Sequence, residues 1–208
     1  MNFNFETISE RSLLNCHCKG VHSFVLNERE GKLDRLYLTS VDHELWLTDL
    51  KHIERSPKAI AFHPHRRSLM LSVIKGSLYN AYIDVLDGES QGLPITAWNY
   101  VSKIDGEGKF EREGSNCYTN LSVKCLTEGS SEFMNAKKVH TVWAEKGEIV
   151  AWLIQEGEED SAYDSRCFSN ANLEEFVWKG LYVKPTVEQT REILSPYLTI
   201  LDGKILRK

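Results

Sequence analysis

No apolar run in the 208 residues approaches the length of a membrane-spanning helix. The opening residues Met1 to Glu6 have neither the basic start nor the apolar core of a secretory leader. Neither membrane insertion nor export is therefore expected. Cysteine is sparse and odd in number, five in all, too few for a disulfide scaffold and suited to free thiols in a reducing cytoplasm. Positive charge is short as well. Against 30 Asp and Glu there are 25 Lys and Arg, a net charge of −5, with none of the basic clustering that nucleic-acid binding by counterion release requires. The chain lacks a phosphate-cradling glycine loop, a Gly-x-Ser-x-Gly elbow and a His-Glu-x-x-His helix. It contains no low-complexity segment and no internal repeat. The remainder is globular in composition, 41% hydrophobic and 10% aromatic, enough chain for one large domain spanning residues 1–208.

Short β-rich runs recur along the chain, separated by turn residues. Residues 21–26 and 33–39 flank Asn27 to Lys32 and read as a hairpin, and 43–48 as a third strand. A strand over 78–85 leads to Asp87-Gly88, then a loop over 86–96, then a hairpin from Trp98 to Lys103 and from Lys109 onward. Tyr118 to Leu126 alternates as a strand. Val139 to Ala144 and Glu148 to Gln155, around Glu145-Lys146-Gly147, read as a further hairpin. Helices are expected only at the ends: a short one over 6–16, a helical turn at 172–176, and one opened by Pro185-Thr186 with Gln189 in the capping-box position, ending near Ser195-Pro196. This spacing predicts a mainly β antiparallel sandwich or barrel over about 20–157, with a helical extension over about 170–200.

The chemistry centres on Ala59 to Asn80. His63 and His65 are two residues apart, which on a strand points both imidazoles to one face, in register with Arg67, Leu69, Leu71 and Val73. Gly76 closes the run at a tight turn. A third imidazole from another strand would complete a metal site, and His140 is the candidate. His22, His43 and His52 read as surface or hydrogen-bonded histidines. The compact Cys16-His17-Cys18 triplet cannot wrap a zinc ion alone and would need Cys117 or Cys125; burial is the simpler reading of these thiols.

These residues resemble the first motif of the cupin superfamily, the jelly-roll barrel or double-stranded β-helix. That motif has the form Gly-x5-His-x-His-x3,4-Glu-x6-Gly. His63, Pro64, His65 and Gly76 match it, Leu69 stands where the glutamate would be, and the opening glycine is missing. His140 takes the place of the second motif's histidine, with Ala144 where an asparagine is expected. The resemblance covers about residues 20–157 and implies three histidines, His63, His65 and His140, holding a divalent transition metal: Fe(II) first, zinc or nickel as alternatives. A three-histidine set without glutamate is similar to that of the thiol dioxygenases, although their Ser-x-His-x-Tyr segment has no counterpart at Leu153 to Gly157. The implied activity is a metal-dependent dioxygenase acting on a small polar or thiol-containing molecule. The alternative is a metal-free, non-enzymatic binder of a small ligand.

Arg67 is a candidate for neutralising the substrate, with Arg66 pointing away, or both lie on a solvated edge. Tyr79 and Tyr82 either offer a phenol to the site, Tyr82 being the catalytic candidate, or pack at its rim. Trp143 and Trp152 read as sheet-to-sheet core. Glu145, Glu148, Glu156, Glu158 and Glu159 read as a solvated acidic turn. Dimerisation by sheet extension, as in many jelly rolls, is a further possibility.

Overall fold

Alternation of side chains along Lys32 to Thr39 shows how the molecule is layered. Leu36 and Leu38 are buried against helices on one side, while Arg35 and Tyr37 look the other way, towards a second sheet. The computed structural model describes residues 3–49, 54–55, 62–87, 91–102, 108–162, 166–170 and 180–205. His52 and the expected helical turn at 172–176 lie outside them.

In chain order the elements are α1 (Phe5–Arg11), β1 (Val21–Arg29), β2 (Lys32–Thr39), β3 (Leu47–Asp49), β4 (Glu54–Arg55), β5 (Arg67–Lys75), β6 (Ser77–Leu86), β7 (Leu93–Ser102), β8 (Gly108–Thr127), β9 (Ser131–Met134), β10 (Val139–Trp143), β11 (Ala151–Glu159), β12 (Arg166–Asn170), α2 (Val187–Leu194) and α3 (Leu198–Ile205). One antiparallel sheet runs β1-β2-β11-β5-β9 and the other β10-β6-β8-β7-β12, while β3 and β4 form a small separate ribbon. Among the described residues no helix is long and apolar enough to cross a membrane.

The β1–β2 hairpin is present and tighter than the sequence indicated. Its strands run on to a two-residue turn, Glu30-Gly31, both at positive φ (51° and 75°), as a twisted hairpin requires. Gly76 also sits at positive φ, +78°, but β5 and β6 do not pair with each other. The glycine therefore turns the chain from one sheet to the other. The hairpin expected over 139–155 is likewise absent: β10 pairs with β6 and β11 with β2 and β5. A Gly-containing turn marks a reversal, and its local chemistry is the same whether the next strand joins its neighbour or crosses to the facing sheet. Other boundaries shift too. The first helix stops at Arg11, and Leu13 and Leu14 are extended, bridged to Ser23 and Val183. The third strand begins at Leu47, and the expected loop over 86–96 gives way to β7 at Leu93. Strand β12 lies beyond the expected end of the barrel. The capping box of α2 is as read: Thr186 Oγ1 accepts from the Gln189 amide at 3.2 Å and Gln189 Oε1 from the Thr186 amide at 2.9 Å.

Three apolar clusters hold the layers. Leu69, Leu71, Val73, Leu78, Trp152 and Ile154 fill the space between the sheets. Phe24, Leu36, Leu38, Leu153, Leu194 and Leu201 join the first sheet's outer face to the helices. Phe62, Ile83, Ile95, Tyr118, Trp143 and Phe168 fill the inside of the second sheet, which curls. Each such fully buried side chain contributes about 1.5–3 kcal/mol. The curl is closed by two residues. Phe62 exchanges backbone hydrogen bonds with Phe168 of edge strand β12 (2.9 and 2.7 Å), and His63 does so with His140 of the opposite edge strand β10 (3.0 and 3.2 Å). This Phe62-His63 strap satisfies edges that would otherwise be open. It also fixes where the imidazole of His63 can go.

Candidate metal centre

Consecutive residues of an extended segment face opposite ways. On the strap, Phe62 turns into the curled sheet, and His63 turns into a cavity of about 410 Å³ between the two sheets. Strand β5 starts only at Arg67, so strand parity does not align His63 with His65. The bridge to His140 holds the first, and a hydrogen bond from the His65 amide to the Ala136 carbonyl (2.9 Å) holds the second. The outcome is nevertheless convergent. His63, His65 and His140 each place one ring nitrogen within 4.8 Å of the others, and His65 Nε2 lies 2.7 Å from His140 Nε2.

The tautomer of His140 follows from its neighbours. Glu132, a carboxylate, can only accept, so it takes a hydrogen bond from Asn80 Nδ2 at 2.9 Å, as does the Tyr82 hydroxyl oxygen at 2.8 Å. Asn80 Oδ1 is thereby turned to His140, whose Nδ1 donates to it at 2.7 Å. That leaves the Nε2 lone pair aimed into the cluster, the arrangement typical of a metal-ligating histidine with an oriented outer partner. Lys124 pairs with Glu132 at the far end. Neither Asn80 nor Glu132 was a sequence candidate. The available signal was a polar residue at 80, in register with Leu78 and Tyr82 on the core-facing side of β6.

Tyr82 stacks on His140 (centroids 5.9 Å apart), while Tyr79 stacks on Trp143 on the opposite face of β6. Trp143 and Trp152 are buried core, as expected. Arg67 donates to Glu159 (3.0 Å) and the Gly157 carbonyl (3.4 Å), and Arg66 also binds Glu159, at 2.6 Å. Arg66 lines the edge of the cavity. Glu156 leaves the solvated acidic turn and lines the cavity. It faces Leu69 across β5 and β11, accepts from the Leu33 amide at 3.0 Å and is flanked by Arg35 and Arg67. His17 stacks over His63 at 5.5 Å at the rim, next to Tyr182. Burial pushes the Cys16 thiol up to about 12. The Cys16-His17-Cys18 triplet does not gather with Cys117 or Cys125 into a metal-sized group among the described residues.

Burial, with His140 and His17 adding to it, holds the His65 imidazole well below its usual value of 6.5. Burial also lowers His22 and His43, whose Nδ1 atoms accept the Asn15 and Leu45 amides. Below pH 6.5 the unfolded chain therefore takes up protons that the folded chain refuses. Stability is full above that value and falls as pH drops from it towards the lower folded values. Metal-free protein is expected to unfold at lower denaturant at about pH 5 than at about pH 7.5, above the range in which carboxylates titrate. Equal midpoints would refute this account of the three histidines.

No known family profile matches the sequence, and no curated protein matches it. Among solved structures, the hydroxypropylphosphonic acid epoxidase from S. wedmorenis aligns at 11% identity and a TM-score of 0.39, over 72% of this chain and 56% of that one. This chain thus spans little more than half of that one's length. The Drosophila melanogaster CENP-C cupin domain aligns at 9% identity and a TM-score of 0.39, over 70% and 75%. The protein's own sheet order and histidine positions define its fold. Two facing antiparallel sheets, crossed at Gly76 and again between β10 and β11, with paired histidines on one segment and a third on a later strand, give this chain the cupin fold.

Proposed function

We propose that His63, His65 and His140 hold a divalent transition metal and that the protein is a metal-dependent enzyme acting on a small polar molecule, with an Fe(II) oxygenase as the specific reading. The observation that carries it is the gathering of three imidazole nitrogens within 4.8 Å. Ligands on a tetrahedral ion with bonds of about 2.0–2.1 Å lie about 3.3 Å apart, so small ring adjustments suffice. The donor set is three neutral imidazoles, since Leu69 replaces a carboxylate ligand and Glu156 is turned to Leu33. Such a set suits iron, zinc, copper or nickel. A bound ion would supply Lewis acidity and, as iron, one-electron chemistry towards dioxygen. The chain's own residues orient His140 through Asn80, keep His65 neutral by burial and surround the reacting volume with apolar walls.

The 2.7 Å approach of His65 Nε2 to His140 Nε2 is also the distance at which two neutral imidazoles share a hydrogen bond, and it supports the alternative of a metal-free binder. Elemental analysis of untagged protein, as purified and after repletion with Fe(II), Zn(II) or Ni(II) under nitrogen, separates the two. About one equivalent of metal is expected; none after repletion leaves the binder.

A further inference from the structure

We infer that the cavity beside the histidines is built for a small organic carboxylate with an apolar body, and that Arg35 is the group that grips the carboxylate. This deepens the proposed function, on which only the attraction to a bound ion rests; the contact with Arg35 does not depend on it.

Arg35 sits at a core-facing position of β2, opposite Ile154 and two residues from Tyr37, and lines the cavity. Its side chain is 28% exposed, so the guanidinium is partly withdrawn from water and gains from an anionic partner. Among the described residues its guanidinium makes one ion pair, a long one of 3.7 Å to Glu156, and no hydrogen bond. Of the Glu156 carboxylate, Oε2 accepts from the Leu33 amide and lies 3.9 Å from Arg67, while Oε1 is the oxygen that faces Arg35, beyond hydrogen-bond distance. Arg66 and Arg67 are both engaged by Glu159. Among the described residues the Arg35 fork, matched to bidentate carboxylate, thus lines this cavity with its donors not taken up by a hydrogen bond.

The walls define the rest of the ligand. Tyr37 and Trp152 stack at 5.3 Å with planes 10° apart, and Leu71, Ile154 and Val142 complete an apolar surface. That surface accepts a ring or short alkyl chain and offers a multiply charged anion little. A metal on three neutral imidazoles keeps its charge uncompensated, which would draw the same anion further in.

Calorimetric titration with benzoate, phenylacetate and hexanoate, against phenylacetamide and inorganic phosphate, tests this in wild-type protein and in metal-free His140→Ala. At least one carboxylate is expected to bind about tenfold more tightly than the amide and than phosphate. Arg35→Gln is expected to erase that preference with metal content unchanged, Arg35→Lys to retain part of it, and Arg67→Gln to retain all of it. The inference is overturned if no carboxylate binds, if amide or phosphate binds as well, or if Arg35→Gln keeps the preference. A carboxylate preference in protein that takes up no metal would sink the metal reading alone. Normal metal content without the preference would sink this inference alone.

Discussion

The His140→Ala protein is expected to fold and to take up no stoichiometric metal. His140 is 5% exposed and supplies a nitrogen whose lone pair is oriented by an outer partner, Asn80. Without it two half-buried imidazoles remain, and a two-histidine set from one short segment does not hold a divalent ion firmly. The loss should exceed the roughly 10–100-fold that removal of an outer partner costs. Folding should survive, because truncation leaves Asn80 Oδ1 without its donor, a cost of about 1–3 kcal/mol set against a typical domain stability of about 5–15 kcal/mol. Asn80→Leu supplies the graded comparison. The ligand set stays complete but the ring of His140 loses its orientation, so metal affinity should fall about 10–100-fold without vanishing. Competition with a chromophoric chelator, alongside circular dichroism, reads both. Unchanged metal content in folded His140→Ala protein would mean that the imidazole cluster is not where the metal sits.

Phe62→Ala should produce the largest loss of stability and should weaken metal binding with it. Phe62 is 1% exposed among Ile83, Ile95, Tyr118 and Phe168, and truncating a buried phenylalanine costs about 3–5 kcal/mol. The particular consequence is positional. Phe62 anchors the strap that ties β12 to β10, and His63 is the next residue on it. Loosening the anchor lets His63 drift from His140, so metal affinity should drop although no ligand has been removed. Phe24→Ala is the control. Phe24 is equally buried, at 0% exposure, but lies in the cluster under the helices, so it should lose similar stability and retain metal affinity. If Phe62→Ala is too unstable to purify, Phe62→Leu offers the same test at lower cost. Equal metal affinity in the two variants, measured where both are folded, would detach the strap from the site.

Much of the cluster was legible in the sequence because its members are chemically conspicuous. The His-x-His pair and the 69-71-73 alternation were read from residue type and period, and His140 was joined to them through the resemblance to the cupin motifs. Arg67 was the natural choice of cation on that period. In the structure, though, the strand begins at this residue, and Glu159 and Gly157 take its donors. Arg35 was overlooked because one charged residue within a hairpin strand reads as solvent-facing until the hairpin's buried face is known. Asn80 and Glu132 were missed for a similar reason: they are 52 positions apart and meet only where β6 of one sheet comes up against β9 of the other.

The sequence by itself determined the strand-rich class, the capping box of α2, the turns at Gly31 and Gly76, and which residues could ligate a metal, since all of these depend on local backbone preference and side-chain chemistry. Only the tertiary structure decided which sheet each strand joined, that β10 and β11 part company, and that Phe62 and His63 close the curled sheet. Local signals specify that the chain turns and which face of a strand is apolar. The partner of each strand is chosen by contacts between residues far apart in the chain, and those contacts bring the three imidazoles together.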